Sequence, residues 1–125
     1  FNFKDIIKLK QFRKSLNITN TSPKSYLFED ILKKSVEITS SWGGKLYFVY
    51  VPYYETLIDN VPRPYRKYIL KTLNDNNIEV IDVLDILSSR SKSELKNLYP
   101  LGLPGHFSKK GYSVTTDIIY DKIRK

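Results

Sequence analysis

Apolar residues follow two different patterns along this sequence. In four long segments they recur every three or four positions, which is the spacing of a helix with one face turned towards a core. Two short segments are instead rich in β-branched and aromatic residues, which is typical of strands. The pattern predicts helices over residues 3–16, 24–40, 61–76 and 109–125, and strands over residues 46–51 and 78–82.

The helix predicted over residues 24–40 has the longest apolar stripe of the chain. Gly43 and Gly44 follow it and permit the turn into the next strand. Shorter helical segments are expected over residues 85–87 and 92–98. The core face of the long helix is expected to consist of residues at helical spacing: Leu27, Phe28, Ile31, Leu32, Ser35 and Ile38.

The strand predicted over residues 46–51 is nearly all apolar or aromatic. Such strands are usually buried on both faces, as in a parallel sheet, and Pro52 ends this one. The next residues, Tyr53, Tyr54 and Glu55, are expected in the loop after the strand. Because open α/β sheets bind ligands at the carboxyl ends of their strands, these three residues are candidate substrate-binding residues. The alternative is that they are ordinary loop residues.

The order of the elements favours the α/β class. Helix, strand, helix, strand and helix follow one another, which predicts parallel strands joined by a right-handed crossover. The expected fold is therefore a parallel sheet with helices on both faces. A chain of 125 residues is long enough for one domain with a real core, and it contains no internal repeat.

The segment from Tyr99 to Tyr112 holds the single histidine of the chain, His106. Two prolines and two glycines precede this residue and predict a shaped loop without helix. Ser108 is a good N-cap for the helix that follows. A histidine held in this way suits a general base, which must lie within hydrogen-bond reach of the proton that it takes. The alternative is a loop histidine bonded to a nearby carbonyl group.

Composition and charge narrow the possible functions. The absence of cysteine excludes disulfides, thiol catalysis and zinc–thiolate sites, and no apolar run is long enough to span a bilayer. The net charge of +8 raises the possibility of nucleic-acid binding, but the lysines are spread along the helices, which favours a solvated basic face. Because the chain begins at Phe1 and lacks methionine, we expect a fragment or processed piece, and the sequence does not fix its compartment.

Three segments together resemble the C-terminal part of SGNH hydrolases, also called GDSL-type esterases or lipases. They are a buried strand ending in Pro52, a strand ending in Asp82, and the block Gly105-His106-Phe107-Ser108-Lys109-Lys110-Gly111-Tyr112 before the last helix. The resemblance implies a three-layer, flavodoxin-like α/β fold and a serine ester hydrolase acting on acyl or acetyl esters, such as an acylated carbohydrate. It implies that His106 is the catalytic histidine, with neither a cofactor nor a metal ion.

The chain departs from the family pattern in two ways. Leu103 occupies the position where the family usually has an aspartate that orients the histidine, so another carboxylate, such as Glu55, or a backbone carbonyl is expected to do so. No Gly-Asp-Ser nucleophile block and no oxyanion block is recognisable. Residues 1–125 therefore resemble the C-terminal portion of a single domain, whose missing N-terminal half is the expected partner.

Two other functions remain open at this point. The chain could be a noncatalytic α/β module that binds an anionic polymer through its lysines, or a catalytically dead SGNH relative. A steep dependence of binding on salt favours the polymer-binding module. A serine nucleophile block upstream of this sequence favours the hydrolase.

Overall fold

The computed structural model describes residues 26–124, so the helix predicted over residues 3–16 lies outside the described part. No helix within residues 26–124 is long and apolar enough to cross a membrane. The elements follow in the order α1 (Tyr26–Ser41), β1 (Tyr47–Tyr50), α2 (Tyr54–Ile58), α3 (Arg66–Asp75), β2 (Glu79–Asp82), α4 (Val83–Leu87), α5 (Lys92–Lys96), a 3-10 turn (Pro100–Gly102) and α6 (Lys109–Ile123).

The two strands pair in parallel, from Tyr47 opposite Glu79 to Tyr50 opposite Asp82. Helix α3 connects them and packs against β2. Parallel strands need such a crossover, because a tight turn can join only antiparallel neighbours. The described part is thus a mixture of helices and a small two-stranded parallel sheet, which is compatible with the predicted α/β class.

Local chemistry explains where most elements end. Gly43 follows α1 with φ of 76°, a left-handed conformation that glycine adopts without steric cost, and the amide of Gly44 donates to the carbonyl oxygen of Thr39 at 2.9 Å. Ser91 and Glu94 form a capping box that starts α5. The predicted start of the third helix at residue 61 is wrong. Helix α3 begins only at Arg66, because residues before Pro62 and Pro64 disfavour helical backbone.

The loop predicted for residues 53–55 is confirmed only at Tyr53 and is wrong for Tyr54 and Glu55. Tyr54 begins the short helix α2, which buries Leu57 and Ile58 in the core. The proline at 52 stops the strand, and the apolar pair three and four positions after Tyr54 then favours a helical turn, because it places all three side chains on one face. Proline and tyrosines next to each other are typical of a loop, but here the apolar spacing prevails.

The core has two parts on opposite faces of the sheet. Val49 packs with one part and Phe48 with the other, and adjacent residues of a strand point to opposite faces. The site-side cluster consists of residues from α2 and from the chain after β2: Tyr54, Leu57, Ile58, Val83, Leu87, Leu95, Leu98 and Tyr99. The α1-side cluster consists of Leu32, Leu73 and Ile78.

The predicted core face of α1 is only partly buried, so this prediction is wrong in part. Leu32 is buried, and Phe28 is half-buried against the α1-side cluster. In contrast, Leu27 is 66% exposed, and Ile31 and Ile38 are each 54% exposed. The sheet and α3 offer this helix a narrow contact surface, so only one edge of its wide apolar face is covered by residues 26–124.

Candidate functional site

The loop that carries His106 is fixed at both ends, by side-chain burial before it and by hydrogen bonds after it. Before it, Leu98 and Tyr99 are buried in the site-side cluster. After it, the amide of Ser108 donates to the carbonyl oxygen of Leu98 at 2.8 Å, and the Ser108 hydroxyl accepts from the amide of Gly111 at 3.2 Å. Ser108 is therefore the N-cap of α6, as the sequence predicts. Its bond to Leu98 also joins the two ends of the histidine loop.

Gly111 is required by close packing under this loop. A Cβ atom at Gly111 would overlap the carbonyl oxygen of Leu98 and would lie 2.8 Å from the Cβ atom of Phe107. Phe107 in turn packs against Tyr99, with 4.9 Å between the ring centroids. The absence of a side chain at Gly111 thus lets the first turn of α6 approach the histidine loop closely.

His106 and Tyr53 line the same cavity, of about 190 Å³, which we call the histidine cavity. Its other walls are Tyr99, Gly105, Phe107, Tyr112 and the chain just after β1, Val51 and Pro52. The cavity thus lies beside the carboxyl end of β1, where ligands of α/β sheets bind. The structure leaves the His106 side chain exposed and brings it together with Tyr53 from the loop after the strand.

Tyr54 does not line the histidine cavity, and its side chain is buried in the site-side cluster. Its hydroxyl donates to the carbonyl oxygen of Gly102 at 2.9 Å, and its ring meets that of Tyr99 edge-on at 4.8 Å between centroids. These contacts tie α2 to the turn that precedes the histidine. Tyr54 is therefore placed to hold the histidine loop rather than to touch a ligand in this cavity.

Glu55 does not orient His106, in contrast to the expectation from the sequence. Its carboxylate accepts from Arg63 at 3.2 Å, and the guanidinium of Arg63 also stacks on the Tyr53 ring at 4.3 Å from the centroid. Among residues 26–124, the His106 ring takes part in no side-chain hydrogen bond and in no ion pair. Arg63 thus holds the carboxylate that the sequence suggested as the orienting group.

Tyr99 is a wall of the cavity that was not among the site residues predicted from the sequence. The residue is only 4% exposed, and its hydroxyl has no hydrogen-bond partner in the described part of the chain. Burial raises the pKa of Tyr99 to about 12, with smaller contributions from the charge of Glu55 and from Tyr54. The hydroxyl therefore keeps its proton at neutral pH. The only hint in the sequence was the position of this tyrosine directly before the proline-rich loop.

Asp82, which ends the second strand, has a structural role at the same edge of the sheet. Its side chain accepts from the amide of Asp85 at 3.1 Å and so caps α4, and it forms an ion pair with Arg66. Across residues 26–124, no group of three or more histidine, cysteine, aspartate or glutamate residues is arranged to hold a metal ion.

The resemblance to SGNH hydrolases remains a prediction from the sequence alone. The geometry adds an exposed histidine, a small aromatic cavity and a loop fixed by Leu98, Ser108 and Gly111. A scan of protein families and searches of curated proteins and of solved structures find no match to this chain.

Proposed function

We propose that this chain is the C-terminal part of a serine ester hydrolase of the SGNH type, with residues 1–125 forming one portion of a single domain. The observation that carries the proposal is the histidine cavity, where an exposed imidazole stands beside Tyr53 at the carboxyl end of a parallel strand. A base must be accessible and held in place to take a proton from a bound reactant. His106 meets the first requirement through its exposure, and its loop fixes the backbone that carries the ring.

In the proposed reaction, His106 takes the proton of a serine hydroxyl while the serine oxygen attacks the ester carbonyl. The imidazolium then returns the proton to the leaving alcohol, and the same two steps with water release the acid. The serine and the donors for the oxyanion come from the missing N-terminal half, because the sequence lacks both blocks. This chain alone is therefore expected to be inactive.

The proposed orienting group for His106 also comes from outside the described residues. The ring has no orienting partner among residues 26–124, and Glu55 is engaged by Arg63. A triad histidine without an orienting group would adopt the productive tautomer and direction only part of the time. The proposal thus requires a carboxylate or a carbonyl of the complete protein to reach the imidazole.

The size and lining of the histidine cavity favour a small acyl group. A volume of about 190 Å³ between Tyr53, Tyr99, Phe107 and Tyr112 offers a small, mostly apolar surface of a size that suits an acetyl group. An acetyl ester, such as that of an acylated carbohydrate, is the substrate that we propose. Tyr53 is 67% exposed and would flank the bound ester at the rim of the cavity.

We further propose the finer fold, a three-layer, flavodoxin-like domain. Two strands of four residues each form a sheet that is only marginally stable by itself, and no other strand within residues 26–124 pairs with its outer edges. Additional parallel strands from the missing half would pair with such an edge. This arrangement would also bring the nucleophile to the carboxyl end of the sheet, where His106 stands.

The test is the variant His106→Ala in the complete protein, assayed with p-nitrophenyl acetate. Ester hydrolysis should fall by roughly three orders of magnitude or more, because a triad loses its function with any of its members. Circular dichroism and thermal unfolding should remain unchanged, since the side chain is exposed.

Lys110→Ala is the matched control, because Lys110 is exposed and close in sequence but does not line the cavity. It should retain full activity. Equal hydrolysis by the wild type and His106→Ala would contradict the assignment of the general base. A complete protein without any esterase activity would favour the catalytically dead relative.

A further inference from the structure

The chain shortly before His106 forms an exposed apolar tip. We call residues 100–104 the leucine tip, because Leu101 and Leu103 project from it between two exposed prolines. The Leu101 side chain is 93% exposed, more than any other large apolar side chain of residues 26–124. Single exposed leucines are common on protein surfaces, so the exposure gains meaning only from the features around it.

The backbone of Leu101 is in a conformation that leucine rarely adopts. Its φ of 54° and ψ of 16° lie in the left-handed region, where the Cβ atom of an L-residue crowds the backbone and where glycine or asparagine is usual. Residues held in such conformations are frequent at ligand-binding and contact sites. The chain thus keeps a strained leucine at a position where it contributes nothing to the core.

Hydrogen bonds hold the leucine tip in this shape. The amide of Gly102 donates to the carbonyl oxygen of Tyr99 at 3.1 Å, and the amide of Leu103 donates to that of Pro100 at 3.0 Å. The Tyr54 hydroxyl donates to the carbonyl oxygen of Gly102 and ties the tip to α2. The leucines are therefore displayed on a fixed turn, which lowers the entropy cost of docking.

The surroundings of the leucine tip are strongly basic. Residues 88–112 contain five lysines and arginines and one acidic residue, so a fifth of the chain has a net charge of +4, half of the total. The acidic residue, Glu94, accepts from the amide of Ser91 at 2.9 Å in the capping box of α5. Lys96 lies against the tip, with its Cβ atom 3.6 Å from where a Cβ atom on Gly102 would be.

Two further lysines follow the tip at a place that local electrostatics disfavours. Lys109 and Lys110 lie in the first turn of α6, which contains no acidic residue, and the N-terminus of a helix repels cations. Both are exposed, and neither they nor Lys96 form an ion pair with a carboxylate of residues 26–124. A negatively charged surface would offset this repulsion.

We propose that the leucine tip docks on the surface of an anionic lipid bilayer. Leu101 and Leu103 would enter the boundary between headgroups and acyl chains, and the flanking lysines would contact the anionic headgroups. A soluble polyanion would account for the lysines only, because leucine and proline side chains provide neither stacking rings nor hydrogen-bond donors. A second copy of the chain would bring two positive surfaces together, and these repel each other.

The experiment is co-sedimentation of the complete protein with vesicles of phosphatidylcholine alone and with vesicles of equimolar phosphatidylcholine and phosphatidylglycerol. No ester is present, so the result is independent of the proposed hydrolase activity. The anionic vesicles should bind the protein saturably and at least about tenfold more tightly than the neutral ones, because several lysines contact the headgroups.

Leu101→Asn tests the apolar contact. Asparagine tolerates left-handed backbone, so thermal unfolding should be unchanged or shifted to higher temperature. Binding to the anionic vesicles should weaken about tenfold, because the inserted side chain is lost. Ile123→Asn is the matched control: Ile123 is 50% exposed at the other end of α6, and its replacement should weaken binding less than about twofold.

Lys109→Gln and Lys122→Gln form a second matched pair, since both lysines are exposed on α6 but only Lys109 is next to the histidine loop. Lys109→Gln should weaken binding about fivefold, and Lys122→Gln less than about twofold.

Four outcomes would overturn the proposal. They are equal binding to neutral and anionic vesicles, no difference between the members of either matched pair, binding of single-stranded DNA as tight as that of anionic vesicles, and a dimer without vesicles that Leu101→Asn dissociates. The third outcome would assign the lysines to a soluble polyanion, and the fourth would assign the tip to a second copy of the chain.

Discussion

The two faces of the sheet differ in how completely residues 26–124 cover them. The site-side cluster has eight buried residues, and Val83 and Leu87 within it are fully inaccessible to solvent. The α1-side cluster has three buried residues, of which only Leu73 is fully inaccessible. The face that bears the histidine cavity is therefore the well-packed one.

One stripe of exposed apolar side chains lies on α1 and just after it, and a second exposed group lies in the histidine loop, where Leu101 is 93% and Leu103 57% exposed. Leu27, Ile31, Ile38 and Trp42 are all more than half exposed, and their spacing of four, seven and four residues places them along one stripe. A continuous exposed apolar stripe usually marks a contact surface. The comparison thus suggests that the candidate site is built on a stable platform, whereas α1 depends on contacts beyond those described.

The largest expected effect comes from core deletions that compare the two clusters directly. Leu87→Ala should lower the free energy of unfolding by about 4 kcal/mol, because the side chain is fully buried and leaves a cavity. Leu32→Ala should lower it by about 2 kcal/mol, since its surroundings are more open and can relax. Urea unfolding of both variants measures the difference. Equal losses would mean that the two faces are packed equally well.

The next effect concerns the pH dependence of the site-side cluster. The pKa of Tyr99 is about 12 in the folded protein, above the value of about 10 for an exposed tyrosine. The Tyr99 hydroxyl thus binds its proton more tightly in the folded state than in the unfolded state. The resulting contribution to the free energy of unfolding is fully present below pH 10 and is lost between pH 10 and 12. The loss should amount to roughly 2–3 kcal/mol.

Tyr99→Phe removes this ionisation and isolates its contribution. At neutral pH the variant should be as stable as the wild type or slightly more stable, because the buried hydroxyl has no partner among residues 26–124. Between pH 10 and 12 it should lose less stability than the wild type in chemical unfolding. Tyr112→Phe is the control, since Tyr112 is exposed and should leave the pH dependence unchanged.

Local signals in the sequence predicted the elements that depend on neighbouring residues. The glycines after α1, the capping serine at 108 and the two runs of strand residues act within a few positions, and the structure follows them. The parallel pairing was predictable for a related reason, because a helix lies between the strands. These parts of the fold need no knowledge of distant contacts.

Features that depend on distant contacts could not be predicted in the same way. Tyr54 is buried because its hydroxyl reaches the carbonyl group of Gly102, 48 residues later in the chain. Glu55 is withdrawn from His106 because Arg63 binds it, and α1 is half exposed because few described residues lie against it. Periodicity identifies an apolar face but does not show whether anything covers it. The position of Tyr53 beside His106 follows from the direction of the strands. The burial of Tyr54 and the pairing of Glu55 do not follow from it.

A smaller effect is expected at the base of the histidine loop. Gly111→Ala should lower the free energy of unfolding by about 2 kcal/mol, because the added methyl group would overlap the Leu98 carbonyl oxygen and press on Phe107. Gly43 would be a poor control, since its positive φ adds strain. Ser113→Ala, at an exposed position of the same helix, should change the stability by less than about 0.5 kcal/mol. Thermal unfolding of the two variants separates crowding at Gly111 from a general effect on α6.

The smallest effect is expected on the exposed stripe of α1. It tests whether the α1-side face is as open as its exposure indicates. Ile31→Ala should change the free energy of unfolding by less than about 0.5 kcal/mol, because the Ile31 side chain is already 54% exposed and its loss opens no cavity. Leu32 is the next residue of the same helix, so Leu32→Ala serves as the internal reference for the cost of removing a buried side chain. Alanine also favours helix, which offsets part of any loss at Ile31. If Ile31→Ala destabilised the protein as much as Leu32→Ala, the stripe would be covered in solution, and the contrast between the two faces would disappear. Unfolding measured at several protein concentrations would then show whether a second copy of the chain provides that cover.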